Sequence, residues 1–435
     1  MKDAGYCSWG RLCARDQQVR PLRWTPAALE PEGRPLLGRG LGRSYGDVCL
    51  NDGGVLLDCA GLDRFLDYDP ERGRLRVEAG VSLAAILERV VPDGWFLPVT
   101  PGTRFVTVAG AVANDVHGKN HHRAGTFGRH VRALGLLRSD RGALTCSAED
   151  NPDLFRATVG GLGLTGLVTW VELQLKAVPG PAVEVEAVPF ASLDEFLALS
   201  RESDGRWEYT VAWIDALGRG PRAGRGVFFR GNHVEGEAPA PRAGTRLAVP
   251  PGTPGWLLGP AAVRLFNALY HRRQAARCRR RVHYLPFFYP LDGIRHWNRL
   301  YGRRGFFQFQ CVVPEDAAVA VLGGILERAA AAGQGSFLSV LKVFGDVPSP
   351  GLLSFPRPGV TLALDFPNRG ERTRALLRGF EDRVREAGGA LYPAKDALMS
   401  PAAFQAFFPR WRELAALADP AFSSGFWRRV TEVAA

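Results

Sequence analysis

GRGLGRSYG, residues 38–46, is the stretch of this 435-residue chain that constrains the fold most strongly. It contains four glycines and two arginines but no acidic residue, and strand-like segments flank it within residues 35–60. Because glycine has no Cβ, such a loop lets backbone N–H groups approach a phosphate closely. The stretch predicts a phosphate-binding loop between two strands. A tight surface turn is the alternative that these residues alone leave open.

A second unusual stretch, PGTRFVTVAGAVANDVHGKNHHRAGTFGRH at residues 101–130, is rich in Gly, Thr, Asn and His. It holds four of the chain's eight histidines: His117, His121, His122 and His130. No H-E-x-x-H pattern or carboxylate ligand set accompanies them, and glycines interrupt the helical spacing. We therefore predict no metal site. We expect these histidines to line a pocket for an anionic ligand, with hydrogen-bonded structural roles for one or two of them.

A third glycine-rich stretch, Gly161-Leu-Gly163-Leu-Thr-Gly166, matches the G-x-G-x-x-G pattern. A dinucleotide-binding fingerprint requires a strand before the loop and a helix after it. Here the predicted order is helix, loop, strand, which excludes the NAD site. The backbone of this loop remains able to press against a flat cofactor ring.

The composition is that of a soluble globular protein, with 46% hydrophobic and 23% charged residues. It argues against disorder, collagen-like repeats and coiled coil. The chain has 55 Lys and Arg against 44 Asp and Glu, a formal net charge of +11 that favours anionic partners. At about 150 residues per domain, the length predicts two or three domains.

Targeting segments and cysteine chemistry give further expectations. No segment approaches the ~20 consecutive apolar residues of a membrane span, and the N-terminus lacks the apolar run of a signal peptide. We expect a protein that is cytoplasmic or peripheral to the membrane. The seven cysteines are scattered without a C-x-x-C pair, so we expect buried reduced thiols rather than disulfides or a zinc site.

Lysine is rare in this chain, since only five of the 55 basic residues are Lys. A surviving Lys such as Lys342, inside an apolar strand, suggests a position where a compact ammonium group is needed. Gln308 and Gln310 alternate with apolar residues and must share one face of a strand. Together these residues predict the polar floor of a substrate site, or alternatively an ordinary sheet with one wet face. Lys395 alone suggests only a surface position.

Residues 261–281, AAVRLFNALYHRRQAARCRRR, form a basic amphipathic pattern. We predict a helix whose apolar side carries Val263, Phe266, Leu269 and Tyr270. Such a helix suits an anionic membrane or a lipid phosphate. A solvated basic face packed on its own domain is the alternative.

The second half of the chain mixes strands and helices without regular alternation, which predicts an α+β fold with a mainly antiparallel sheet. We expect strands at residues 208–216, 305–313, 336–345 and 359–366, and helices at residues 194–201, 317–331 and 371–388.

These segments together resemble a known family. GRGLGRSYGD, residues 101–131 and LFRATVGGLGLTG at 154–166 resemble the flavin-binding half of the vanillyl-alcohol oxidase type (VAO/PCMH fold) of FAD oxidoreductase. Nearly end to end, the chain is similar to the decaprenylphosphoryl-β-D-ribose 2′-oxidase family, most specifically in HGKNHH (117–122) and YPAKD (392–396). The resemblance implies a two-domain α+β fold: an FAD-binding domain at 1–180, an antiparallel-sheet substrate domain at 181–389, and a C-terminal segment at 390–435 that returns to the FAD domain.

The resemblance also implies the FAD site. The matching residues are Gly38, Arg39, Gly40, Leu41, Gly42, Arg43, Ser44, Tyr45, Gly46, Asp47, Gly102, Thr107, Val108, Ala109, Gly110, Asn114, Asp115, Val116, His117, Val168 and Tyr392. Many relatives attach FAD covalently through a His in a G-H-S sequence of the first loop. Because Arg43 precedes Ser44 here, we predict non-covalent FAD.

The implied reaction is oxidation of a secondary sugar alcohol to a ketone, with Lys395, His117 and Tyr45 as catalytic residues. The residues that match the substrate pocket are Lys119, Tyr301, Gln308, Gln310, Lys342 and Ala363. The mycobacterial enzymes have N-x-C-V-D-F-P where this chain has Thr361, Ala363 and Asp365 in T-L-A-L-D-F-P. The thiol lost at Ala363 is not needed for hydride chemistry, but the pocket wall differs.

The implied substrate is a lipid-linked sugar phosphate, a polyprenylphosphoryl-β-D-ribose. Its oxidation is the first half of an epimerisation that makes the arabinose donor of cell-wall arabinan. A short-chain reductase partner completes that epimerisation, and peripheral membrane contact is possible. A soluble aldonolactone or alditol oxidase of the same superfamily is the alternative. A nucleic-acid-binding protein would leave the Gly/His-rich motifs without a role, so we expect no nucleic acid partner.

Overall fold

The computed structural model of the chain describes residues 6–239, 247–276, 278–335 and 337–431. The strands in these ranges are β1 Gln18–Pro21, β2 Leu36–Arg39, β3 Val55–Asp58, β4 Phe65–Asp69, β5 Arg74–Glu78, β6 Trp95–Phe96, β7 Val131–Arg138, β8 Gly142–Ser147, β9 Leu167–Gln174, β10 Lys176–Ala177, β11 Ala182–Phe190, β12 Tyr209–Ile214, β13 Gly226–Val234, β14 Leu247–Ala248, β15 Arg279–His283, β16 Ile294–Arg295, β17 Phe306–Val313, β18 Ser339–Phe344, β19 Gly359–Pro367 and β20 Ala390–Leu391.

The α-helices of the same ranges lie mostly between the strands. They are α1 Leu83–Val90, α2 Val108–Ala113, α3 His121–Ala124, α4 Pro152–Thr158, α5 Leu193–Asp204, α6 Pro260–Ala275, α7 Tyr284–Phe288, α8 Glu315–Ala332, α9 Glu371–Glu386, α10 Pro401–Phe407, α11 Trp411–Leu417 and α12 Gly425–Thr431. None of these helices is both long and apolar enough to cross a membrane.

The described residues form a pair of two-stranded sheets, β6–β10 and β14–β16, and three larger sheets. The first is parallel, in the order β1-β3-β2, and the second is antiparallel, in the order β4-β5-β9-β7-β8. The third has eight antiparallel strands in the order β15-β11-β13-β12-β18-β19-β17-β20. The predicted α+β class, with an antiparallel sheet in the second half of the chain, is confirmed. The residue limits of the two domains stay a prediction.

The eight-stranded sheet has one apolar face and one polar face, because side chains alternate along a strand. On β17, Phe307, Phe309 and Cys311 join the buried core that α8 and α9 cover. Gln308 and Gln310 point to the opposite face, as the alternation predicts. This opposite face is the one that forms the functional site.

Two sequence predictions fail in this part of the fold. The helix predicted at 261–281 ends at Ala275, and residues 279–283 instead form β15, which pairs with β11 at the edge of the large sheet. Cys7 and Cys13 form a disulfide, whereas all cysteines were expected to be reduced. The six-residue separation of this pair lacks the C-x-x-C spacing on which that expectation depended.

Both ends of the chain hold the loop at residues 38–46. Trp9 N donates to Ser44 O at 2.8 Å, and Tyr45 N donates to Ala394 O at 2.8 Å. Further along the C-terminal segment, Ser423 N donates to the carbonyl of Leu36 at 3.0 Å. The loop therefore lies between the disulfide-closed N-terminal segment and the returning C-terminal segment.

Replacement of Gly46 by Ala should weaken this arrangement. An added Cβ would lie far inside van der Waals contact of the Asp396 carbonyl, which is backbone and cannot move alone. We expect Gly46→Ala to lower the free energy of unfolding by about 1–3 kcal/mol in denaturant titrations.

The matched control is Gly205→Ala, because a Cβ at Gly205 meets nothing within 4 Å. This control should leave stability unchanged or raise it by up to about 1 kcal/mol. Equal stability of the two variants would contradict the close packing of Gly46.

Candidate active site

A cavity of about 920 Å³ lies between the 38–46 loop and the polar face of the eight-stranded sheet. Its walls come from that loop, from residues 100–119, from β12, β17, β18 and β19, and from the segment around Lys395. A volume of this size is at the upper end of the range for small-molecule sites, about 300–1,000 Å³. The cavity thus joins parts of the chain that are up to several hundred residues apart in sequence.

Most residues that the resemblance assigns to FAD lie on this wall. They are Gly38, Arg39, Gly40, Leu41, Gly42, Arg43, Ser44, Tyr45, Gly102, Thr107, Gly110, Asn114, Val116, His117 and Tyr392. The structure does not place the others on the wall: Gly46, Asp47, Val108, Ala109, Asp115 and Val168.

Two of the residues off the wall have side chains engaged elsewhere. The Asp47 carboxylate pairs with Arg429 at 3.0 Å, which ties the loop to α12. The Asp115 carboxylate accepts from Ser349 and Ser354, both at 2.5 Å, and from the N–H of Gly128 at 2.9 Å. The structure thus gives these two carboxylates packing contacts of their own, and their assignment to FAD stays a prediction.

The wall fits the polar groups of FAD. Gly40 packs so closely on Thr107 that no side chain fits there, and Gly42 has φ +61, in the left-handed region that favours glycine. Two buried atoms on the wall, Arg43 Nε and Asn114 Oδ1, have no hydrogen-bond partner among the described residues. One is a cationic donor and the other an amide acceptor, so both can serve a pyrophosphate-bearing, amide-bearing cofactor.

Lys395 lies directly over the ring of Tyr45, with Nζ 3.7 Å from the ring centroid. The Tyr45–Ala394 backbone hydrogen bond fixes this neighbourhood. Burial lowers the pKa of Lys395 to about 7, and the negative charge of Asp365 opposes that shift. Burial also raises the pKa of the Tyr45 hydroxyl well above its ordinary value. Near neutral pH, Lys395 is therefore close to its pKa, so that both its charged and its neutral forms occur, while Tyr45 stays protonated.

Asp365 is a buried residue of the site that sequence reasoning did not assign. Its Oδ1 accepts from Gln308 Nε2 at 2.5 Å and its Oδ2 accepts from Tyr301 OH at 3.2 Å. Burial raises its pKa to about 7. Asp365 lies opposite Gln308 in the β17–β19 register, and Ala363 lies opposite Gln310. Because side chains alternate along β19, Asp365 could have been placed on the face of Ala363 from the sequence.

His117 joins two elements of the site. Its Nε2 is 2.8 Å from Gln310 Nε2, and its Nδ1 is 3.0 Å from Lys342 Nζ. Burial, and then the Lys342 charge, hold the pKa of His117 well below its ordinary value. The other histidines of the 101–130 stretch are absent from the cavity wall: His121 packs on Phe344, while His122 and His130 contact backbone carbonyls. The expectation that the group lines the pocket therefore holds for His117 alone.

Three of the five lysines, Lys119, Lys342 and Lys395, line the cavity. Burial lowers the pKa of Lys119 to about 8, and its Nζ donates to the Phe288 carbonyl at 3.1 Å. The pKa of Lys342 is well below its ordinary value because of burial and then the charges of the other two lysines. Within the described parts of the chain, the ion pairs of lysine involve only Lys176. The cavity thus brings together three amino groups, none of which forms an ion pair within the described residues.

The remaining predicted substrate residues divide between the wall and the layer behind it. Gln308, Gln310 and Ala363 line the cavity, while Tyr301 lies behind the wall, stacked on Phe306 at 4.1 Å. Trp9 and Trp213 also line the cavity and were not predicted. Alternation along β12 could have found Trp213, whereas nothing local to the sequence indicates Trp9.

Comparisons with known proteins bear on the family and the cofactor of this chain. A family model described as FAD binding domain matches residues 26–147. Decaprenylphosphoryl-β-D-ribose oxidase of Mycolicibacterium smegmatis is 36% identical, with 97% of this chain and 96% of the relative covered. An uncharacterised Streptomyces coelicolor protein is 38% identical over 80% of this chain and 100% of its own length. Mouse L-gulonolactone oxidase is 31% identical, but over only 40% of each chain.

The near-complete coverage of the mycobacterial oxidase extends the likeness beyond the flavin-binding half, whereas the lactone oxidase matches less than half of the chain. The FAD-binding model, the loop and cavity that fit this cofactor, and the end-to-end identity agree on one assignment. The chain belongs to the decaprenylphosphoryl-β-D-ribose oxidase family and is an FAD-dependent oxidoreductase.

Proposed function

We propose that this oxidoreductase oxidises the 2′-hydroxyl of a polyprenylphosphoryl-β-D-ribose to a ketone. The reaction would be the first half of an epimerisation to the arabinose donor, and a short-chain reductase partner would reduce the ketone. The observation that carries the proposal is the group of three cavity lysines, Lys119, Lys342 and Lys395, without a paired carboxylate. A neutral lactone or alditol has no charge to match them.

A phosphate would relieve the electrostatic cost of this group. Burial disfavours the charged form of Lys119, and an anion within a few ångströms favours it again. Lys119 lies beside Phe287 and Phe288, at 5.6 Å from each ring centroid. Lys119 is thus suited to a charged group attached to an apolar chain.

The cavity also has an apolar arm for a lipid chain. Its lining beyond the lysines consists largely of aromatic and aliphatic side chains: Val211, Trp213, Phe229, Leu257, Leu258, Val263, Phe266, Tyr270, Phe337 and Leu338. Trp213 is held in place by a 2.9 Å hydrogen bond from Nε1 to the Phe337 carbonyl. An arm of this kind supports a polyprenyl substituent over a free sugar.

When bound, FAD supplies the acceptor for the hydride of the carbinol carbon. Lys395 provides positive charge on the wall that FAD would contact, where it can stabilise developing negative charge. His117 Nδ1 and Lys342 Nζ lie 3.0 Å apart. Because the pKa values of both groups are low, the pair can accept a further proton. We assign the acceptance of the substrate hydroxyl proton to this pair. Gln310 orients the imidazole from its other side.

The substrate is tested by anaerobic bleaching of the flavin absorbance. We expect farnesylphosphoryl-β-D-ribose to bleach the flavin and L-gulonolactone to leave it oxidised. Lys119→Met should raise KM for the phosphorylated substrate about 10- to 100-fold with little change in kcat, because a charged hydrogen bond contributes about 1.5–3 kcal/mol.

Lys176→Met is the matched control, since Lys176 pairs with Glu208 and is absent from the cavity wall. It should leave KM unchanged. Bleaching by the lactone, and not by the phosphorylated ribose, would reject the proposed substrate class.

The Asp365 charge should set the protonation of Lys395. Because that charge raises the pKa of Lys395 against the effect of burial, its removal should lower this pKa further. If the ammonium form is active, Asp365→Asn shifts the alkaline limb of the kcat profile to lower pH, by about one unit.

Glu381→Gln serves as the control, because Glu381 is a buried carboxylate that contacts Ser400 rather than the cavity. Its pH profile should match the wild type. An alkaline limb that stays in place, or moves to higher pH, in Asp365→Asn would contradict the coupling.

We also expect FAD to leave the protein on denaturation, since Arg43 stands where covalent relatives carry His. Acid precipitation should move the yellow colour into the supernatant. Flavin retained in the pellet would show a covalent bond, and loss of that retention in His117→Ala would locate it.

A further inference from the structure

Helix α6 exposes an apolar face next to the cavity. Leu265 is 63% exposed and Leu269 is 59% exposed, one helical turn apart, and Phe266 beside them is 45% exposed. Exposed leucines are ordinary when they occur singly, but a group of large apolar side chains on one helix face marks a surface for contact.

The orientation of α6 is fixed from its opposite side. Asn267 is fully buried, and its Nδ2 donates to Asp215 Oδ1 at 2.8 Å. Asp215 in turn pairs with Arg225 at 2.9 Å. Turning the helix to bury the leucines would leave this buried carboxylate short of a donor, which is unfavourable. The leucines are therefore held outward.

The exposed face is continuous with the interior of the cavity. Phe266 and Leu257 both line the cavity and are both exposed, so the cavity reaches the surface between them. Phe266 packs against Phe337 and Tyr270, with ring centroids 5.2 and 5.9 Å away, and these two rings belong to the apolar arm. An apolar path thus runs from the lysines to Leu265 and Leu269.

The surroundings of this face are strongly basic. Residues 257–283 contain seven arginines and no Asp or Glu. Arg264, Arg272 and Arg273 are exposed on α6 itself, and Arg279 and Arg281 are exposed on β15. A second copy of the chain docked through the same face would oppose arginine to arginine, since a two-fold interface places one patch on both subunits. An anionic surface is the complementary partner.

We propose that Leu257, Leu265, Phe266, Leu269 and the arginines of α6 form a docking surface for an anionic lipid bilayer. Interfacial helices of this composition insert their apolar side into the headgroup boundary while basic residues bind anionic lipid. When the protein docks in this way, the mouth of the cavity faces the bilayer. A lipid-linked substrate can then enter the cavity without leaving the bilayer. The route of entry rests on the proposed function, whereas the docking itself does not.

Co-sedimentation of the FAD-loaded protein with vesicles tests the surface. We expect binding to vesicles of mixed phosphatidylglycerol and phosphatidylcholine, weaker binding at high salt, and little binding to phosphatidylcholine alone. Leu265→Asn/Leu269→Asn should weaken binding tenfold or more, because the double variant loses two apolar side chains that the membrane would bury. Leu66→Asn is the control, a 48% exposed leucine on β4 of another sheet, and should bind like the wild type.

Neither Leu265 nor Leu269 lines the cavity, so flavin bleaching by a short-chain, water-soluble phosphorylated ribose should be unchanged in the double variant. Loss of vesicle binding with this bleaching retained supports the surface. If that substrate bleaches the flavin of neither the wild type nor the variants, the proposed function is rejected. The result of the vesicle experiment is not affected by that outcome. Three results would overturn the docking surface. The first is a wild-type protein that does not bind anionic vesicles, and the second is a double variant that binds them as well as the wild type. The third is a wild-type protein that is a dimer in solution while the double variant is a monomer.

Discussion

The close approach of three separate backbone segments at residues 38–46 is the constraint on which the rest of the structure depends. The N-terminal segment donates to this loop through Trp9, and the loop donates to the C-terminal segment through Tyr45. Gly46 packs against the Asp396 backbone without room for a side chain. As a result, backbone contacts bring Lys395 and Tyr45 together, and segments from both ends of the chain hold this wall of the cavity.

The polar face of the large sheet adds a second, electrostatic constraint. A sheet with apolar residues on one side carries Gln308, Gln310 and Lys342 on the other, and burial makes both an unpaired amide and a charged ammonium costly. The structure distributes this cost through a network in which Asp365 holds Gln308 and Tyr301, and Gln310 holds His117. Burial lowers the pKa of Lys119 and Lys395, so an anion bound nearby would favour their charged forms.

Local sequence information was sufficient for features that depend on local periodicity. The glycine loop, the shared face of Gln308 and Gln310, and the attention to rare lysines all follow from residue type and spacing. The role that the family resemblance implies for Lys395 stays a prediction. Asp365 was missed because its importance depends on the β17–β19 register, which joins residues more than fifty positions apart. The Cys7–Cys13 disulfide has no recognisable spacing. The end of α6 was misplaced because pairing of β15 with β11 competes with helix formation in the arginine-rich stretch.

The proposed reaction removes the hydride from C2 of a phosphorylated ribose that is held among the lysines. Stopped-flow measurement of flavin reduction with polyprenylphosphoryl-β-D-ribose carrying deuterium at C2 tests it most directly. Flavin reduction should be several-fold slower with this compound than with the unlabelled one, and it should not be slowed when deuterium is at C3. Equal rates with the C2-labelled and unlabelled compounds, together with slowing by label at C3, would contradict it.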